Sequence, residues 1–240
     1  MISFNQASVT AHDGATILHP VTLTLSEQRV SVIGANGSGK STLARLINGL
    51  VEPSSGTVRI RAQQPDAHAS ASAASDLDTV SDGAAVRRAV GFVFTDPAAQ
   101  LIMPTVLEDV ELSLRRTHRD AGKRRAAALA ALARFGLDRF AERSVHALSG
   151  GQQQLLAIVT VLATDPRILV TDEPTTLLDL RNTRAIGELL FSLPQQVVVV
   201  THNLELAARA DRTLVVADGR VAFDGSPAEA IAHYRASAEA

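Results

Sequence analysis

Three short segments set phosphate-handling and proton-handling side chains at places where an apolar strand ends. The run SVIGANGSGKST puts Gly34, Gly37 and Gly39 in a loop after such a strand, with Ala35, Asn36 and Ser38 between them. Lys40, Ser41 and Thr42 follow at the start of a helical pattern, which is G-x-x-x-x-G-K-[ST] in the strand–loop–helix context that gives it meaning. Glycines let several backbone N–H groups turn toward one point, and the helix amino end adds positive potential there. Such a loop binds phosphate oxygens. Lys40 would reach the β- and γ-phosphates of a nucleotide, and the Ser41 hydroxyl would coordinate Mg²⁺.

The second segment, RILVTDEP, ends in the adjacent carboxylates Asp172 and Glu173; the third, QQVVVVTHN, ends in His202. An acidic pair at a strand end is ordinarily solvated surface, and a single His there is ordinarily structural. Here the strands deliver all three to the sheet edge that also carries the phosphate loop, where ligands of open α/β sheets bind. Asp172 would hold Mg²⁺ through water, Glu173 would polarise the attacking water as general base, and His202 would touch the γ-phosphate. A further segment, HALSGGQQQLLA, places Ser149, Gly150 and Gly151 before a helix. That is a second anion-binding helix start, or, taken alone, an ordinary cap.

The elements that must position these groups are legible as alternation. Short β-branched runs predict strands at Ser3–Thr10, Val21–Leu25, Arg29–Ile33, Thr57–Arg61, Val90–Phe94, Arg167–Thr171, Gln196–Thr201, Arg212–Ala217 and Arg220–Phe223. ILVT and VVVVT are continuous apolar runs, as for strands buried on both faces at a sheet centre. Strand signals vanish between Thr105 and Ala163, where helical patterns predict a subdomain inserted into the core. The expected organisation is a single α/β domain over 1–240, with a nucleotide-binding core at 1–94 and 164–240, a helical segment at 95–163 and a loop-like Ala/Ser/Asp-rich insertion at 63–85.

Composition bounds the rest. Apolar residues make up 46% of 240, charged residues 20%, and the net charge is -2, which points neither to disorder nor to a nucleic-acid partner. Cysteine is absent, so there is no disulfide framework and no thiolate metal site. The amino terminus lacks a basic stretch followed by an apolar one, and no apolar run reaches 18 residues. The expectation is a soluble, cytoplasmic chain that does not span a bilayer alone.

The order GANGSGKST, LSGGQ, ILVTDEP and THN resembles the ATP-binding cassette (ABC) family from end to end. The resemblance implies a P-loop NTPase fold of the ABC type: a mixed or parallel sheet with amino-terminal antiparallel strands and an inserted helical subdomain. It further implies ATP and Mg²⁺ as cofactors and ATP hydrolysis as the activity. By resemblance, Ser149, Gly150 and Gly151 bind the γ-phosphate of ATP held on a second, head-to-tail subunit, identical or paralogous, while Leu178 and Asp179 form the loop linking the two sites. One subunit alone should hydrolyse ATP poorly.

Two positions depart from the family pattern. After GFVF the family has a glutamine that contacts Mg²⁺ and water, and here Thr95 stands, with a shorter reach. Where the family stacks an aromatic on adenine, His12 is the nearest counterpart. The stretch GFVFTDPAAQLIMPTVLEDVELSL is similar to energy-coupling factor (ECF) transporter ATPases, with Phe94, Asp96, Pro97, Gln100, Thr105, Val106, Asp109 and Val110 matching. That similarity implies a transmembrane coupling protein and a substrate-binding membrane protein as partners at the cytoplasmic face of the cell membrane. Glu108, Asp109 and Glu111 would oppose arginines on the coupling helices, or merely favour a helix amino end. FTDP followed by MPTV resembles the ATPases of biotin uptake systems, with other vitamins, cobalt and nickel open as cargo. Repair, chromosome and translation ATPases of the same family fit the length and the single cassette less well; a regulatory cassette of low activity is disfavoured by Glu173 and His202 but kept open by Thr95.

Overall fold

A computed structural model describes residues 1–61 and 76–238. An antiparallel hairpin, β1 (Ile2–Thr10) and β2 (Thr16–Leu25), opens the chain, and β3 (Arg29–Ile33) feeds the phosphate loop and α1 (Lys40–Ile47). β4 (Ser55–Arg61) and β5 (Asp76–Asp78) complete the first sheet, and α2 (Gly83–Ala89) leads into β6 (Val90–Val93). Three helices follow, α3 (Val106–Leu114), α4 (Ala121–Arg134) and α5 (Gly150–Leu162). Then come β7 (Ile168–Asp172), α6 (Leu180–Ser192), β8 (Gln196–Val200), the single turn α7 (Leu204–Ala207), the hairpin β9 (Arg212–Ala217) and β10 (Arg220–Gly225), and α8 (Pro227–Ala238).

The first sheet is antiparallel in the order β2-β1-β4-β5; the second runs β10-β9-β3-β8-β7-β6, parallel except where β10 folds back on β9. Both apolar runs singled out from sequence, in β7 and β8, lie inside this sheet with a neighbour on each side. Every residue of β7 is buried. α1 is sandwiched between the sheets: Leu43, Leu46 and Ile47 share one core with Ile2, Phe4 and Ile60 on one side and Val170, Val198 and Val200 on the other. α5 and α6 cover the opposite face, where Ile158, Ile186 and Leu190 meet Leu169, Val197 and Val199. α3, α4 and the body of α5 hold a core of their own around Val106, Leu132, Leu137 and Leu156. The parallel strands therefore have helices on both faces, as buried parallel strands require, and their carboxyl ends open on one edge.

The expected loop at 63–85 needs correction. Residues 62–75 lie outside the described residues, but Asp76–Asp78 is a strand and a helix begins at Gly83. Asp76 and Asp78, two of the aspartates that make this stretch look solvated, pair with arginines on β4. Arg61 Nε and Nη2 donate to the two oxygens of Asp76 at 2.7 and 2.8 Å, and Val86 is fully buried. Cross-strand charge pairing supplies what the composition does not show.

Candidate nucleotide-binding site

The phosphate loop is shaped by contacts on both flanks. Gly34, at φ +150°, leaves no room for a side chain: a Cβ there would lie 2.1 Å from the Val216 carbonyl oxygen on β9. The β9–β10 turn braces the loop further on, where Gly219 N donates to Ser38 O at 3.0 Å and Gly219 O accepts from His19 N at 2.8 Å. The loop thus sits between a strand of each sheet. Ser38 and Lys40 are buried within it, while Ala35, Asn36 and Gly37 face solvent. Ser38 Oγ is buried without a hydrogen-bond partner among the described residues, an orphaned donor of the kind an oxyanion ligand would satisfy.

Lys40 donates its Nζ to the Ala35 carbonyl at 2.6 Å. Burial pushes its pKa below the usual lysine range, and Glu173 and Asp172 pull it back up. Ser41 Oγ donates to Asp172 Oδ1 at 3.0 Å, joining the start of α1 to the end of β7. Asp172 is 1% exposed; desolvation raises its pKa, against the Ser41 hydrogen bond and Arg45, whose Nη2 lies 3.6 Å from Oδ2. Arg45 stands one turn after Ser41 on α1 and sequence reading passed over it, although i, i+4 spacing on a helix was the signal. No group of three or more His, Cys, Asp and Glu assembles among the described residues. Hard oxygens on Ser41 and Asp172, with phosphate and water completing the shell, suit Mg²⁺, which keeps several waters and takes few protein ligands.

Glu173 follows Asp172 with φ +51°, a left-handed backbone uncommon for a side chain of its size, held by Glu173 N donating to Val200 O at 2.9 Å. Its Oε2 accepts from Thr176 Oγ1 at 3.0 Å, from His202 N at 3.3 Å and pairs with His202 Nδ1 at 2.8 Å. The structure thus brings together Lys40, Ser41, Thr42, Asp172, Glu173 and His202 at one sheet edge. It gives Thr95 no hydrogen bond to Ser41 or Asp172 among the described residues, and His12 sits exposed in the β1–β2 turn. Ile17, 39% exposed, is the apolar side chain of the strand that passes the loop, with its carbonyl 3.2 Å from a Cβ built on Gly39; no motif marked it.

Ser149 caps α5. Its hydroxyl and the Gln152 side chain form a reciprocal capping box, the ordinary-cap role held open for it, and the helix start that carries the cap is exposed. A Cβ on Gly151 would fall 2.5 Å from Cγ of Asn182, and Asn182 in turn donates to Asp179 through its backbone N and its side chain at 2.8 and 3.1 Å. The signature glycine and Asp179 are therefore neighbours within one chain. Leu177 and Leu180, flanking Leu178 and Asp179, are 68% and 79% exposed.

The segment after β6 uses Asp96, Gln100 and Asp109 for bonds within the chain. Asp96 caps the turn that starts at Pro97, and Gln100 accepts from Phe94 N at 3.2 Å while donating to Ala157 O on α5 at 3.1 Å. Asp109, 2% exposed, accepts from Ile102 N, Met103 N and Thr160 Oγ1. It is therefore not free to oppose a partner's cations, which corrects that expectation. Glu108 closes a capping box with Thr105, the helix-end role held open for it. Beside this loop lies a groove of about 300 Å³ with Leu50, Phe92, Phe94, Ile102, Leu112 and Val161 in its walls, Ile102 being 70% exposed.

Comparison with known proteins agrees with this geometry. The family model described as ABC transporter matches residues 18–176. The biotin transport ATP-binding protein BioM of Rhizobium etli is 42% identical over 235 residues, covering 98% of this chain and 97% of its own. The energy-coupling factor transporter ATP-binding protein EcfA1 of Lactiplantibacillus plantarum is 35% identical over 221 residues, 90% of this chain and 74% of its own. Among solved structures, cbiO1 from Clostridium perfringens, part of the ABC transporter complex cbiONQ, superposes with TM-score 0.81 at 28% identity over 99% of this chain and 93% of that one. The cassette MJ0796, in a dimeric post-hydrolysis state bound to ADP and Pi, gives 0.79 at 33% identity over 95% and 99%. With its phosphate loop, acidic strand end and signature helix in one fold, the chain belongs to the ABC transporter family and is an ATP-hydrolysing cassette of that family.

Proposed function

We propose that this chain is the ATPase subunit of an ECF-type importer at the cytoplasmic face of the membrane, working as half of a head-to-tail dimer. The observation that carries the reading is the 3.0 Å bond from Ser41 Oγ to Asp172 Oδ1, which binds phosphate loop and acidic strand end into a single metal-competent site. Mg²⁺ bound there would neutralise charge on the β- and γ-phosphates. Gly34, Ala35, Asn36, Gly37, Ser38, Gly39 and Thr42 cradle the phosphates by backbone and hydroxyl donors, Lys40 exchanges the Ala35 carbonyl for them, and His12 with Ile17 borders the base. Glu173 holds the attacking water and His202 both steadies Glu173 and faces the γ-phosphate. Ser149, Gly150 and Gly151 of one subunit complete the site of the other, with Asp179 between them; the exposure of Leu177 and Leu180 supports a second copy there.

The groove beside Ile102 receives helices of a transmembrane coupling protein, which works with a small substrate-binding membrane protein. Among the described residues no helix is long and apolar enough to cross a membrane, so transport needs such partners. Biotin is the favoured cargo, on the 42% identity to BioM along nearly the whole chain. The test is purification of a tagged copy from native membranes in mild detergent, with mass spectrometry of what accompanies it. A polytopic coupling protein and a small membrane protein are expected; recovery of only soluble proteins would overturn the importer reading and leave the ATPase intact.

A further inference from the structure

Charge is distributed unevenly in this chain. Residues 115–143 carry nine Lys and Arg against three Asp and Glu, whereas the whole chain has 23 against 25. Not all of that excess is free: Arg125 pairs with Glu142 at 2.7 Å, and Arg134, Arg139 and Arg143 lie over phenylalanine rings. What stands out is the corner between α3 and α4. Arg115, Arg116, Arg119 and Lys123 are exposed there, with no carboxylate in ion-pair range among the described residues. Asp120, the corner's one acid, is engaged in capping α4, its Oδ1 accepting from Lys123 N at 2.8 Å. The corner is also rigid, since Arg124 Nη1 donates to the carbonyls of His118 and Arg119 at 3.1 and 3.3 Å. Four unpaired cations are thus held on a fixed scaffold.

Their position is as informative as their number. Leu112 and Ser113 line the groove beside Ile102; α3 ends one residue later at Leu114, Arg115 is its carboxyl cap and Arg116 follows in the turn. The basic corner is therefore continuous with the rim of the groove. We propose that it rests on the anionic phospholipid headgroups of the bilayer surrounding the membrane partner; the orientation rests on the importer reading above, which turns the groove toward the membrane. A lipid surface fits these groups for two reasons. Guanidinium groups bind phosphate in a fork geometry without needing a matching protein surface. A corner of long basic side chains with little apolar area matches the attraction of polybasic segments to anionic leaflets. The contact would hold the helical subdomain against the membrane while the coupling helix moves in the groove.

The test uses the full chain and vesicles of phosphatidylcholine, alone or with phosphatidylglycerol, in co-sedimentation. Binding is expected only to the phosphatidylglycerol vesicles, and it should vanish at about 1 M salt, where the screening length falls to about 3 Å. Each basic side chain near an anionic leaflet contributes roughly fivefold to partitioning, so Arg115→Gln with Arg116→Gln lowers it about 25-fold. The charge-matched pair Arg220→Gln with Arg235→Gln, both exposed and elsewhere on the surface, should leave it near wild type. Equal binding to both vesicle types, equal loss in the two paired variants, or tighter binding of a short RNA duplex than of vesicles at the same salt would each overturn the proposal. The two readings separate cleanly. If a coupling protein co-purifies and the corner variant behaves like its control, only the lipid contact falls; if vesicles bind as expected and no membrane protein co-purifies, only the importer reading falls.

Discussion

On the base role proposed for Glu173, replacing it by Gln should separate binding from hydrolysis, and the structure shows why the fold should survive the change. All the hydrogen bonds that Glu173 receives fall on one oxygen: Thr176 Oγ1, His202 N and His202 Nδ1 all meet Oε2. Oε1 has no partner among the described residues, so its lone pairs are free for the proton of a water under the proposed role. A glutamine can place its carbonyl oxygen where Oε2 stands, keep those donors, and put an NH₂ group where Oε1 was. Local structure should therefore survive, with stability within about 0.5 kcal/mol of wild type. The base is gone, and a positioned general base contributes about 10²–10⁴ in rate, or about 3–5 kcal/mol of barrier. Single-turnover phosphate release with Mg-ATP should slow by that factor while nucleotide affinity holds, and size-exclusion chromatography should show an ATP-dependent dimer that persists. Turnover within about threefold of wild type, less than about 1 kcal/mol of barrier, would remove Glu173 from the base role.

Arg29 is buried with the carbonyls of Gln28, Phe191, Leu193 and Gln195 around its guanidinium; Gln28 O keeps a second donor in Val197 N, so Arg29→Met removes the donor of the other three, at the end of α6 and just after it; a loss of about 3 kcal/mol and a fall of about 6–12 °C in Tm are expected by calorimetry, and an unchanged Tm would show that water replaces the guanidinium. For Asp172 the folded pKa lies above the ordinary value of 3.8, so the folded state binds the proton more readily and stability falls as pH rises from about 3.8 through the folded pKa. Asp172→Asn should flatten that slope in thermal melts with chelator and be the more stable protein at neutral pH, with the order reversed by saturating Mg-ATP; a wild-type slope in the variant would refute the assignment. Thr95→Gln should raise the Mg-dependent rate about fivefold by adding a hydrogen bond worth about 1 kcal/mol, and an unchanged rate would mean that the position is bypassed.

The strands and the central place of β7 and β8 were legible because ILV and VVVV are unbroken apolar runs, and such runs belong in a doubly covered sheet. The phosphate loop was legible because its spacing answers to backbone geometry. β5 and α2 were hidden because an Asp-rich strand looks solvated until Arg59 and Arg61 on β4 are seen opposite it. The bracing of the loop by Gly219 was hidden for a different reason: backbone donors and acceptors carry no side-chain signature. Asp109 shows the opposite error. A carboxylate at a helix start reads as a surface charge, yet the chain folds back over it and uses it to accept from the backbone N–H groups of Ile102 and Met103 in the loop.

That inward use of Gln100 and Asp109 bears on how the two ends of the machine communicate. Gln100 bonds Ala157 O, Asp109 takes Thr160 Oγ1, and both partners lie on α5. The groove wall at Val161 belongs to the same helix. α5 runs 13 residues, about 20 Å, back to its cap at Ser149. A rigid helix with one end at the groove and the other at the signature serine transmits displacement without any change of its own internal hydrogen bonds. Under the proposed roles, closure of Ser149 on a partner's ATP must therefore move the groove loop with α5, because two hydrogen-bonded side chains tie that loop to the helix. Gln100→Ala would cut one of the ties while touching neither the phosphate loop nor the capping box of Ser149, which places the coupling in the strut between the sites and leaves the chemistry at each of them alone.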